Sequence, residues 1–339
     1  MNELNPQDLH SIQKLAPVRL GFRDSMAIGH LQTVLGHVLP SHSQVLSEES
    51  SPIQFKQGAR DFGCLHFSNP KEPLPFVMVL FHGLAGHSDS DYMRRLADVA
   101  LSLNIRVVRV DHRGSGSVVS QFTEPYHSGR GQDASDVINL VRSKYADHKI
   151  IACGISMSGT ILLNLLSKRF GSDQPDFGIT VNAPLDLADA AIRLKSGASR
   201  LYDLRFFYKL KKLIEQKDKD TKLPWIGTTE LIDGLYTSVR SGFVDRKDYY
   251  KKCSPFSHVS LIDKPCFIIT AKDDPFVDFE FYKKAEWSRL AEVIVQDNGG
   301  HVGYISKTNL SFEGVHFGRR WLDYCIYRIL RKIINDQAI

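Results

Sequence analysis

The chain has 339 residues, 42% hydrophobic and 24% charged, with a formal net charge of +5, which fits one large globular domain or two ordinary ones. So modest a charge, with no aromatic-interleaved basic groove and no Cys/His finger spacing, argues against a nucleic-acid partner. Five scattered cysteines (Cys64, Cys153, Cys253, Cys266 and Cys325) make neither a disulfide framework nor a zinc site, and no apolar run approaches the roughly 18 residues that span a bilayer.

The N-terminus, MNELNPQDLHSIQK, has acids and no apolar stretch, unlike a secretory signal. A cytoplasmic setting is expected, with peripheral contact to a lipid surface left open. The first fifty-odd residues are irregular and are expected to form an arm over the domain. From there strands and helices alternate, which predicts a mainly parallel sheet covered on both faces. Phe76 to Phe81 (FVMVLF) reads as a buried strand. A helix follows near Asp91 to Leu103, with Leu96, Val99 and Leu103 on one face. Arg106 to Val110 is the next strand and Gln132 to Lys144 the next helix. Lys149 to Cys153 is a strand, Thr160 to Leu166 a helix and Phe177 to Val181 a further strand.

The alternation then breaks. Residues 185–257 are charged and helical, too long for a simple loop, and are expected to be a helical lid insertion. Within them Arg205 to Lys217 is amphipathic, with Phe206, Leu210 and Leu213 on one side. Strands return at Cys266 to Thr270 and Glu292 to Val295, and a last helix is expected from Phe317 to Ile334. The predicted division is an arm at 1–52, a core at 53–184 and 258–339, and the lid at 185–257.

Between the strand ending at Cys153 and the helix from Thr160 lies Gly154-Ile155-Ser156-Met157-Ser158-Gly159. This is close to a G-x-S-x-G nucleophile elbow in its strand–turn–helix setting. Ser158 stands where a second glycine is usual. A serine hydroxyl needs a base, and the base an orienting acid. In such elbows the partners follow in the order Ser, acid, His. Asp273 and Asp274 follow the strand Cys266 to Thr270; Asp274 is preferred as the acid, with Asp273 bracing the turn. His301, in the glycine-flanked loop Asn298-Gly299-Gly300-His301 after the next strand, is the candidate base. The candidate oxyanion-hole donors are the N–H groups of Met157 and of Leu84, in the turn His82-Gly83-Leu84-Ala85-Gly86. His82 is expected to shape that turn and to take no part in proton transfer.

Further segments point the same way: Gly29-His30-Leu31-Gln32-Thr33, HGLAGHSDSDYMRRLA from His82, Asp111-His112-Arg113-Gly114, Tyr126-His127-Ser128-Gly129 and Ala183-Pro184-Leu185-Asp186-Leu187. With the elbow and the two loops, they resemble the YheT-like branch of the α/β hydrolases, over roughly residues 20 to 335. That branch also holds plant embryogenesis-associated hydrolases and abhydrolase-domain lipases. The resemblance implies the α/β-hydrolase fold, a triad at Ser156, Asp274 and His301, and carboxylesterase, acylglycerol lipase or acyl-transfer activity. The chain departs from the family at Ser158, where Gly is usual, and at Asp111-His112-Arg113-Gly114-Ser115, where Asn-Phe-Arg-Gly-Cys is common.

The expected chemistry is hydrolysis of a small aliphatic acyl ester through an acyl-enzyme on Ser156, with no cofactor and no metal. Alternatives are transfer of the same acyl group to an alcohol, or a binding protein that keeps the fold without catalysis. Phe206, Phe207, Leu210 and Trp225 are expected to give the lid its apolar faces. The oligomeric state is not legible.

Overall fold

The computed structural model describes residues 25–39, 47–56, 61–116, 124–218 and 221–337, together with Ser43 and Val45. Most of the expected arm, including MNELNPQDLHSIQK, lies outside these residues. Eight strands make the main sheet: β1 (Glu49–Gln54), β2 (Phe62–Ser68), β3 (Phe76–Phe81), β4 (Arg106–Asp111), β5 (Lys149–Ile155), β6 (Phe177–Val181), β7 (Cys266–Ala271) and β8 (Ala291–Gln296). Their order is β1-β2-β4-β3-β5-β6-β7-β8. Pairing is antiparallel from β1 to β2 and from β2 to β4, and parallel from β4 onward to β8.

The central strands are largely apolar because both faces are covered, although β4 buries Arg109 and Asp111. Successive residues point to opposite sides. Along β3, Phe76, Met78 and Leu80 enter one core, with the helices Asp91–Leu101 and Trp321–Gln337. Val77, Val79 and Phe81 enter the other, with the helices Gly131–Lys144 and Met157–Leu166. All five cysteines are buried and unbridged.

Several expected bounds move. The elbow helix begins at Met157, directly after Ser156, three residues earlier than expected. The last helix begins at Trp321, because Phe317 lies in a strand. That strand, β10 (Val315–Arg320), pairs with β9 (Ile305–Phe312) as a hairpin. Its two-residue turn is Glu313-Gly314, both at positive φ, which suits the right-handed twist of the flanking strands. Glu is an unusual residue for such a turn, so the hairpin gave little signal. Strands β1 and β2 and a helix at Ser25–Val38 were also not expected. Strand β1 crosses the predicted boundary at residue 52 and belongs to the sheet.

Between β6 and β7 stand the helices Leu187–Leu194, Arg200–Lys217 and Arg246–Cys253, with a helical stretch at 229–240. That stretch widens to a π turn at Asp233–Thr237. These helices keep a small core of their own, of Phe207, Ile214, Leu223, Ile232 and Tyr236. Trp225 departs from expectation: it is 79% exposed.

Candidate active site

The carboxyl ends of β3, β5, β6, β7 and β8 converge on one edge, where ligands bind in open parallel sheets. Ser156 follows the end of β5 with φ 55° and ψ −121°. Such a conformation strains a residue that has a Cβ, by about 1–3 kcal/mol. Its surroundings hold it there: its N–H donates to Val181 O at 2.7 Å, and glycines allow close approach. A Cβ on Gly154 would stand 2.4 Å from Ser158 O, and one on Gly159 2.7 Å from the Ala183 Cβ.

Ser156 Oγ lies 2.8 Å from His301 Nε2, and His301 Nδ1 lies 2.8 Å from Asp274 Oδ2. A carboxylate can only accept, so Nδ1 carries the proton and Nε2 accepts from the Ser156 hydroxyl. Asp274 is fixed in turn. Its Oδ1 accepts from the N–H groups of Phe276 and Val277, at 2.8 and 3.1 Å, and Asn182 Nδ2 donates to its Oδ2 at 2.6 Å. Asp273 faces elsewhere: its Oδ1 accepts from the N–H groups of Gly299 and Gly300, both at 2.8 Å. It braces the loop that carries His301. Burial is the main cause that raises the Asp273 carboxyl to about 6.

The loop after β3 is held so that one N–H stays free. The Gly83 N–H donates to Tyr92 Oη at 2.9 Å and the Ala85 N–H to Tyr126 Oη at 2.6 Å. No hydrogen bond engages the N–H of Leu84 between them. Met157, as the first residue of its helix, has no intrahelical acceptor either. Both residues line the same cavity as Ser156.

His82 is fully buried, and that burial lowers its imidazole to about 4. It is neutral, so Nδ1 donates to Gly83 O at 2.8 Å; Nε2 lies 3.0 Å from Ser115 Oγ, whose hydroxyl donates to His112 O at 2.8 Å. Ser158 does not enter the cavity. Its buried hydroxyl donates to His82 O. His112 Nε2 donates to Ser158 Oγ at 2.8 Å, and the His112 ring stacks on Tyr126. Asp111 accepts from the Ser88 N–H at 2.7 Å, and Arg113 is buried against Asp61 and Asp133. The motifs at 111–114 and 126–129 therefore form the frame behind the loop at 82–90. Sequence reasoning singled out the segments that hold Tyr92, Gln32 and Thr33 but gave these residues no role, and it missed Asn182. Asn182 had a readable signal, since it directly follows β6 at the same sheet edge.

Over Ser156 opens a cavity of about 230 Å³, lined mainly by apolar groups. Phe206, Leu210 and Leu213, the face anticipated for the helix Arg200–Lys217, line it. Phe207 instead turns into the small helical core. Among the described residues no group of three or more His, Cys, Asp or Glu is gathered as for a metal ion. None of the described helices is long and apolar enough to cross a membrane.

Residues 78–308 match the model of the α/β hydrolase family. YheT of Escherichia coli, an esterase by name, is 32% identical over 69% of this chain and 72% of its own length. From Saccharomyces cerevisiae, a monoacylglycerol lipase is 25% identical over 77% of this chain and 60% of its own. A medium-chain fatty acid ethyl ester synthase/esterase from the same yeast is 25% identical over 70% and 60%. Two solved structures share the fold. For 2,6-dihydroxy-pseudo-oxynicotine hydrolase the TM-score is 0.54 at 14% identity, over 83% of this chain and 68% of that one. For an esterase of Pyrococcus furiosus it is 0.51 at 16%, over 78% and 90%.

Proposed function

This chain is a YheT-like member of the α/β hydrolase family, and on that premise we propose that it is a serine hydrolase of carboxylic esters. The observation that carries the proposal is the hydrogen-bonded series Ser156 Oγ, His301 and Asp274, with the unengaged N–H groups of Leu84 and Met157 beside it.

In the first step Ser156 Oγ attacks the ester carbonyl carbon as His301 Nε2 takes its proton. Asp274 keeps the imidazole oriented and stabilises its positive form. The N–H groups of Leu84 and Met157 bind the oxyanion. The tetrahedral intermediate collapses, and His301 returns the proton to the departing alcohol. Water, deprotonated by His301, then attacks the acyl-enzyme, and His301 returns that proton to Ser156 Oγ as the acid leaves.

The substrate is an aliphatic acyl ester of short or medium length, in the class of simple esters and monoacylglycerols. The cavity is mainly apolar, and about 230 Å³ is below the range of roughly 300–1,000 Å³ usual for drug-sized ligands. The helices of residues 185–257 act as its lid, with Phe206, Leu210 and Leu213 against the acyl chain. Labelling with a fluorophosphonate probe tests the proposal: wild type should label and Ser156→Ala should not. An unlabelled wild type would mean a binding protein that keeps the fold.

A second reading is acyl transfer, favoured by the synthase/esterase name of one yeast relative. The same acyl-enzyme would pass its acyl group to an alcohol. Product analysis with water and ethanol in competition separates the two.

A further inference from the structure

The helix Ser25–Val38 lies outside the sheet and precedes every described strand, yet its side chains reach the backbone that carries His301. The His301 N–H donates to Thr33 Oγ1 at 2.8 Å, and the Thr33 hydroxyl donates to Gly29 O at 2.8 Å. Gln32 grips Ile305 twice: the Ile305 N–H donates to Oε1 at 2.7 Å, and Nε2 donates to Ile305 O at 3.2 Å. Gln32 and Thr33 are almost fully buried.

Contact between the helix and the loop is backbone against backbone. A Cβ on Gly300 would meet Gly29 O at 2.2 Å, and one on Gly303 would meet Gln32 O at 2.1 Å. A Cβ on Gly36 would stand 2.6 Å from Gly303 Cα. Arg320 ties down the helix end, donating to Gly36 O and Leu39 O at 2.9 and 2.7 Å.

The loop needs such a grip. Gly300, Val302 and Tyr304 all have positive φ, at 55°, 64° and 44°. For a β-branched residue such as Val302 that conformation is an outlier, and strained backbone persists only where its surroundings over-determine it. Asp273 and Asn182 restrain the inner side of the loop. The helix restrains the outer side, at His301 itself and at Ile305.

We propose that Gln32 and Thr33 are positioning residues: they clamp the backbone of residues 300–305 so that the His301 imidazole stays between Asp274 and Ser156. This rests on the proposed role of His301 as the base. The Gly-His-Leu-Gln-Thr segment thus acts on the reaction through another residue, without touching the reacting atoms.

Thr33→Val keeps the shape of the side chain and removes the acceptor for the His301 N–H. Two readouts are followed, hydrogen–deuterium exchange of peptides covering 299–305 and turnover of p-nitrophenyl butyrate. The variant should exchange about tenfold faster in that loop, with β7 unchanged. Its kcat should fall about 10- to 100-fold, with KM within about twofold, the size of loss expected from small misplacements of a catalytic group. Thr33→Ser keeps an acceptor and should restore both readouts. Unchanged loop exchange in Thr33→Val, or a kcat loss that Thr33→Ser does not reverse, overturns the proposal. Should Thr33→Val not fold, Gln32→Met carries the same exchange expectation at Ile305. If wild type turns over no ester, the hydrolase reading fails, and the exchange measurement still decides the clamp.

Discussion

Ser158→Ala tests how the elbow is joined to the loop that carries Leu84, the proposed oxyanion donor. In the native protein one buried hydroxyl serves two buried groups, donating to His82 O and accepting from His112 Nε2. Alanine fits the space but removes the bridging hydroxyl, leaving the His112 ring and the His82 backbone only their direct contact with each other. A buried polar group left unsatisfied costs roughly 1–3 kcal/mol, so loss of the bridge should cost about 1–3 kcal/mol. In a chain of this length, with an unfolding entropy of about 2.1 cal/mol/K per residue, that lowers the melting temperature by roughly 1.5–4 °C. His82 O directly precedes the Gly83–Leu84 peptide, so kcat should also fall, by about tenfold. That is less than the roughly 10²–10³ lost when an oxyanion donor is removed outright. Urea denaturation gives the stability and p-nitrophenyl ester turnover gives kcat. A double-mutant cycle with His112→Phe, which keeps the ring over Tyr126 and removes the donor, should show coupling of about 1 kcal/mol or more. A melting temperature within about 1 °C of wild type, or additive single effects, would refute the bridging role.

Three further outcomes are expected. Asp274→Asn should cut kcat by about 10⁴, as loss of the orienting acid does in serine triads, whereas Asp273→Asn keeps an oxygen acceptor for Gly299 and Gly300 and should cost far less; steady-state kinetics of both variants checks this, and equal losses would overturn the assignment. The Asp273 carboxyl is raised by burial from 3.8 to about 6, so between those values the native state holds a proton that the unfolded state has lost, and stability falls as pH rises through the window. That slope is worth about 3 kcal/mol and should be absent in Asp273→Asn, so urea midpoints of the variant and wild type should diverge, in the variant's favour, from pH 4 to 6. Leu213→Trp adds bulk to the cavity wall and should shift the preferred p-nitrophenyl ester to shorter acyl chains, with little change in the rate of acetate hydrolysis; an unaltered chain-length profile would place the acyl group elsewhere.

The parallel core was legible because its strands are covered on both faces and so are written as unbroken apolar runs. Phe177–Val181 emerged with the expected bounds, and Phe76–Phe81 likewise. Strands β1 and β2, near the sheet edge, carry mixed residues such as Glu49-Ser50-Ser51-Pro52, and gave no such pattern. The hairpin β9–β10 was hidden by a Glu-Gly turn and by alternation too weak to distinguish it from the start of the last helix.

At the site, local chemistry announced itself. A serine between small residues after a strand, an Asp pair and a glycine-flanked histidine, in that order, can be read from the chain alone, because each follows the carboxyl end of its own strand. What the chain order could not supply is which groups meet across it. Asp273 and Asp274 differ by one position in sequence, yet one carboxylate faces the imidazole and the other faces the loop behind it, a choice made by how the turn at Asp274-Pro275-Phe276 is hydrogen-bonded. Ser158 read as a steric departure from glycine; packing makes it a hydrogen-bonded link between the elbow and the His82 turn. The hold of Thr33 on His301 spans 268 positions of the chain. Such contacts belong to the tertiary structure alone, because burying a polar group requires a partner wherever the folded chain happens to bring one.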